Sequence, residues 1–119
     1  MKPDRIVERY FAAMRRGPEA EAELLDLFAP DAVYAEPFSG DQPAEGIDAI
    51  RARFRHGWEA PLPDLELDVL ELEVAGSTAR SLWECRSPGL PGPVRGEDRY
   101  EFSDGRISRL DVTILDRGH

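Results

Sequence analysis

Val94-Arg95-Gly96-Glu97-Asp98-Arg99-Tyr100-Glu101-Phe102 decides how this chain folds. At the two-residue period of a strand, Val94, Gly96, Asp98, Tyr100 and Phe102 share one face, and Arg95, Glu97, Arg99 and Glu101 share the other. A one-residue slip would send the four charged side chains into the core, so the register is fixed with the apolar set inward and Asp98 among it. Burial disfavours the ionised carboxylate and predicts a raised pKa for Asp98. A neutral carboxylic acid donates a hydrogen bond, which an ionised one cannot. The competing reading is structural, with Asp98 paired to a buried arginine or bonded to backbone amides.

The remaining chain is short and acidic. Its 119 residues are expected to form one domain, 1–119, that buries roughly two thirds of the surface its unfolded form exposes. Fifteen basic against 24 acidic residues give a net charge of −9, which repels nucleic acid and anionic membrane surfaces. The N-terminus runs into an amphipathic pattern without a long apolar segment, so no signal peptide and no membrane span are expected. A single cysteine, Cys85, forms no internal disulfide and fits a cytoplasmic protein in which it is a small buried apolar group. Two distant histidines and no Cys/His cluster leave no metal-site spacing.

Upstream, the periods are helical. Asp4 is positioned to cap a helix with Ile6, Val7, Tyr10, Phe11 and Met14 as its apolar stripe, ended by Arg15-Arg16-Gly17. Tyr10 lies mid-stripe, where a buried phenol needs a partner for its O–H. Glu19 to Ala29 reads as a second helix with Leu24, Leu25 and Phe28 inward. Pro30-Asp31 breaks it, and Ala32 to Glu36 reads as a short strand with Ala32, Tyr34 and Glu36 on one face. Phe38 to Glu45 is a Gly/Pro/Asp loop, of a kind that often carries function. Gly46 to Phe54 is a third helix, with Ile47, Ile50 and Phe54 inward and its arginines outward. His56 follows, either as a base or as a cation favoured by the helix dipole, and Trp58 closes an edge of the core or of a pocket.

Downstream, the period becomes two. Leu65, Leu67 and Val69 alternate, then Leu70, Leu72 and Val74 alternate in the opposite phase, as a β-bulge requires. Ala75-Gly76-Ser77 turns into a strand over 79–86 that carries Ser81, Trp83 and Cys85 on one face. A proline-stiffened link over 87–93 leads to the Asp98 strand. Ser103-Asp104-Gly105 turns the chain into a last strand, 107–115, with Leu110, Val112 and Ile114 inward, and 117–119 is a frayed tail. Helices first and antiparallel strands after predict an α+β fold: three N-terminal helices on a strongly curved, mostly antiparallel sheet enclosing an apolar pocket.

Arg9-Tyr10, then Leu27-Phe28-Ala29-Pro30-Asp31-Ala32-Val33, then Glu36-Pro37-Phe38-Ser39-Gly40 and Gly46-Ile47-Asp48-Ala49-Ile50, resembles the ketosteroid isomerase branch of the NTF2-like, SnoaL-like superfamily. Glu97 to Phe102, followed by Gly-Arg-Ile, is similar to the late-strand pattern of that family. The resemblance implies the cone fold, a cofactor-free enzyme and a homodimer. It implies an oxyanion hole formed by Tyr10 and a protonated Asp98, with Glu36 as the proton-shuttling base. Phe28, Phe54, Trp58, Trp83, Tyr100 and Ile114 are the expected walls of a pocket for a small apolar or steroid-like ketone. Two positions depart from the family: glutamate stands for aspartate at 36, and Arg55 stands near an additional tyrosine of the isomerases. The alternatives are a SnoaL-like polyketide cyclase, which would use the same groups for an aldol closure, and a non-catalytic binder of apolar ligands.

Overall fold

The computed structural model describes residues 1–39 and 42–118. Helix α1 spans Pro3–Arg16 and buries Ile6, Val7, Tyr10, Phe11 and Ala13. Asp4 does not cap it: Pro3 already opens the helix, Lys2 holds the capping position, and Asp4 lies in the first turn, where its charge still favours the dipole. After a 3₁₀ turn over Gly17–Ala20, α2 is only Glu21–Asp26. The expected helix to Ala29 is cut short because Phe28 enters strand β1, Phe28–Ala35, and pairs with Ile107. Leu24, Leu25 and Phe28 are nonetheless all buried.

The expected loop over 38–45 contains a two-residue strand β2, Ala44–Glu45, paired antiparallel to β1, while its Gly40 and Asp41 lie outside the described residues. Helix α3 runs Ile47–Trp58, a turn beyond the expected end, and buries Ile50 and Phe54. Strands β3 (Glu66–Ala75), β4 (Thr78–Arg86), β5 (Val94–Ser103) and β6 (Arg106–Asp116) complete one sheet, ordered β2-β1-β6-β5-β4-β3. All pairs are antiparallel except β1 with β6. The phase change in β3 is a register shift between Val69 and Glu71.

The helices pack on one face of this bent sheet. Against them stand Ala79, Ser81 and Trp83 of β4, Asp98 and Tyr100 of β5, and Ile107 and Leu110 of β6, all buried. The other face is charged and paired within itself: Arg80 bridges Glu73 and Glu97, Arg86 holds Glu66, and Arg95 holds Glu84. These exposed pairs contribute little to stability and serve to keep that face wetted. The tail is tied down at Gly118, whose amide donates to the Asp116 carboxylate and whose backbone packs against Gly92; His119 lies outside the described residues.

Candidate active site

Asp98 enters the interior because β5 keeps an unbroken register against β4 and its shifts against β6, at Arg95/Gly96 and Glu101/Phe102, fall outside the segment around it. Its neighbours across the ladder are Ser81 on β4 and Val112 on β6. The side chain is 2 % exposed and meets no arginine among the described residues. Trp83 Nε1–H donates to Oδ1 at 2.9 Å, and the Tyr100 hydroxyl donates to Oδ2 at 3.1 Å. Tyr100 in turn shares a 2.8 Å hydrogen bond with Ser81 Oγ. Burial pushes the Asp98 carboxyl from 3.8 up to about 7, against the pull of the Trp83 and Tyr100 bonds. A protonated Asp98 still accepts both bonds and has its own O–H left to donate.

That O–H has a hollow to face. Tyr10, Phe11, Met14, Tyr34, Trp83, Asp98 and Val112 contribute to the wall of an apolar cavity of about 160 Å³. Cys85 also borders it, its thiol pushed up by burial. The Tyr10 ring is fixed edge-on against Phe11, Phe28 and Tyr100, with centroids 5.3, 6.4 and 6.1 Å away. Burial raises the Tyr10 phenol well above its ordinary value, and its neighbours Tyr34, Asp98 and Tyr100 add to this, so Tyr10 keeps its proton and is a donor throughout the physiological range.

A larger cleft of about 560 Å³ adjoins the hollow. Met14, Tyr34, Phe38 and Leu65 line both, so the two compartments share one partition. Glu36 borders the outer cleft, as do Phe54 and Trp58, whose rings stack at 6.0 Å.

Glu36 is not the solvent-accessible carboxylate that a strand end suggests. It is 8 % exposed, accepts from Arg53 Nη1 at 2.7 Å and accepts from the Phe38 backbone N–H at 2.6 Å. Arg53 also donates to the Gln42 carbonyl. The arginines of α3 therefore do not all face outward, because a long side chain can bury its stem and turn its guanidinium inward. Arg55 does stay at the surface, held by both Glu21 oxygens.

The expected pocket walls divide. Trp83 lines the inner hollow, and Phe54 and Trp58 line the outer cleft. Phe28 lines neither of these two; it sits in the aromatic core against Tyr34 and Phe54. Tyr100 stands behind Asp98 as its hydrogen-bond partner, and Ile114 is opposite Gly96 while Val112 takes the place on the cavity wall. His56 is exposed and faces Glu59 at 3.6 Å, away from both compartments.

Three further residues of this site carry a signal in the sequence. Tyr34 shares the inward face of Glu36, and Arg53 is one turn from the inward Ile50 and beside Phe54. Gly96 is the third: a Cβ there would fall 2.1 Å from Trp83 Cζ2, so the glycine is the seat of the indole that holds Asp98. Glycine inside a strand marks such a close approach.

A sequence model of the SnoaL-like domain matches residues 7–110. The chain belongs to that family. Among solved structures, this SnoaL-like domain is similar to a candidate polyketide cyclase from Sinorhizobium meliloti, at 28 % identity and TM-score 0.76, covering 94 % of this chain and 95 % of that one. It is also similar to a candidate ketosteroid isomerase from Kribbella flavida, at 21 % identity and TM-score 0.75, covering 96 % of this chain and 78 % of that one. A third is the epoxide hydrolase/cyclase-like enzyme SalBIII of salinomycin pyran formation, at 19 % identity and TM-score 0.73, covering 93 % and 88 %. The last two likenesses establish the NTF2-like fold alone. Among curated proteins, none matches the sequence.

Proposed function

We propose that this SnoaL-like domain is a cofactor-free acid–base enzyme that moves a proton α to a ketone. The observation that carries the reading is Asp98: buried, unpaired with any arginine among the described residues, and facing an apolar hollow together with Tyr10. Donors preorganised where enolate charge develops are what such a reaction needs most.

The substrate oxygen enters the hollow and accepts from the Tyr10 O–H and the Asp98 O–H. Glu36 takes the α-proton: the C–H bond breaks, an O–H bond forms on Glu36, and the electron pair moves to the held oxygen. Returning the proton two carbons along a β,γ-unsaturated ketone yields the conjugated enone. Each Glu36 oxygen already accepts one hydrogen bond, and a carboxylate keeps further lone pairs for the proton. The substrate spans both compartments, with its reacting carbon at the Tyr34/Phe38 partition.

Mixing the protein with a 3-oxo-Δ5 steroid and following the ultraviolet rise of the conjugated enone tests this. Turnover that Glu36→Gln lowers by about a hundredfold or more is the expected result. Equal background rates for wild type and variant end the isomerase reading.

The 28 % identity to a candidate polyketide cyclase favours a second reading. There the same carbanion attacks a second carbonyl of its own chain, a C–C bond forms, and Asp98 gives its proton to the new alkoxide. A cyclised product of unchanged mass from a linear polyketone, and no enone from the steroid, identifies that activity. A plain apolar-ligand binder would give neither product. The proposal includes a homodimer in the cytoplasm, as the resemblance to the isomerases implies, and sedimentation equilibrium measures the first.

A further inference from the structure

The outer cleft has a charge pattern unlike the rest of the molecule. The protein carries a net charge of −9, yet Arg15, Arg16 and Arg53 line this cleft, and among the described residues Glu36 is the single acid in its walls. Arg53 is engaged by Glu36 and the Gln42 carbonyl, and Arg16 is held by Glu23 at 2.7 Å. Arg15 differs from both. Its Nε donates to the Leu67 carbonyl at 2.8 Å, and no carboxylate among the described residues pairs with it. The Nε bond pins the plane of the guanidinium and leaves the Nη1/Nη2 fork for another acceptor. A planar fork matches a carboxylate with two parallel hydrogen bonds. Trp58, Pro61, Leu62, Leu65 and Phe38 supply apolar wall beside it, and Phe38 is 65 % exposed at the rim.

We propose that the outer cleft binds the carboxylate end of an apolar acid, with Arg15 as its anchor. In the reaction proposed above, the substrate is then a keto acid whose ketone lies in the inner hollow and whose chain crosses the Tyr34/Phe38 partition. The ketone rests on that reading; the carboxylate anchor does not, and equilibrium binding tests it without turnover. A monoanion fits better than a phosphate monoester because the field of an acidic protein penalises the second charge.

Titration calorimetry with decanoate, methyl decanoate and decyl phosphate tests the site in wild type, Arg15→Gln, Arg15→Lys and Arg5→Gln. Arg5 is exposed on α1 and, among the described residues, paired only with Glu8, so its variant is the control. Decanoate is expected to bind about tenfold tighter than its ester in wild type and in Arg5→Gln. That preference vanishes in Arg15→Gln with ester affinity unchanged, and Arg15→Lys restores part of it. Decanoate that fails to bind, or binds no better than its ester, overturns the proposal. So does a preference that survives Arg15→Gln, or a variant that weakens acid and ester alike. Decyl phosphate binding tightest overturns the carboxylate assignment.

Discussion

Tyr10 shows how one side chain serves packing and chemistry through different atoms. The residue is 3 % exposed, and its ring is wedged edge-on among three aromatic rings, which fixes Tyr10 at the wall of the hollow. Tyr10→Phe keeps the ring and removes one donor. The protein should lose no more than about 1.5 kcal/mol of stability, the worth of an ordinary hydrogen bond. Turnover should fall by about tenfold to a hundredfold or more, since the lost bond is made to developing charge. Urea denaturation alongside the enone assay separates the two effects. A variant that turns over like wild type removes Tyr10 from the oxyanion hole.

At the scale of elements, β5 was the most legible part of the chain because its charges left only one register. Gly96, Asp98 and Tyr100 are buried, and Arg95, Arg99 and Glu101 are exposed. The bulge of β3 was equally readable, since a change of phase in a two-residue period has one structural cause. The end of α2 was not legible. Leu24, Leu25 and Phe28 satisfy a helical stripe and a strand start alike, and only the distant partner Ile107 decides between them. Nor was the Glu36–Arg53 pair, because periodicity says where a Cβ points and not where a long guanidinium ends.

Gly96 is where element and site meet. The indole of Trp83 lies over it and donates to Asp98, so a methyl group at 96 must push the ring away. Gly96→Ala should cost about 1–3 kcal/mol by overpacking. It should also red-shift the tryptophan emission and weaken the hydrogen bond that positions Asp98. An unchanged emission maximum with full stability would mean that the sheet absorbs the methyl by moving β5 instead.

The pH dependence of the whole molecule follows from two opposed sets of carboxylates. Glu21, Glu84 and Glu97 are held below the usual range by their arginine partners. They contribute stability above their unfolded pKa that is lost as the pH falls through the folded value. All three are partly buried at the surface and pair with arginines that reach water, so each contributes little. Asp98 acts in the other direction. Its carboxyl rises from 3.8 to about 7 through burial, so across that window the folded chain holds the proton more tightly than the unfolded one. Stability therefore falls as pH rises through the window, and the cost is fully present above it, on the order of 4 kcal/mol. The sum places maximum stability near about pH 5, on the acid side of neutrality. Asp98→Asn should remove the alkaline loss. An asparagine Oδ1 still accepts from Trp83, its Nδ2 donates to the Tyr100 oxygen, and Tyr100 turns its own O–H to Ser81. Urea midpoints from pH 4 to pH 9 should fall for wild type above about pH 5 and stay level for the variant, which becomes the more stable of the two at pH 8. The variant should turn over far more slowly nonetheless, because an amide is a weaker donor than a carboxylic acid to the developing enolate. A wild-type midpoint that stays level from pH 5 to pH 8 would mean that Asp98 is ionised in the fold throughout, with no acid left to hold the substrate oxygen.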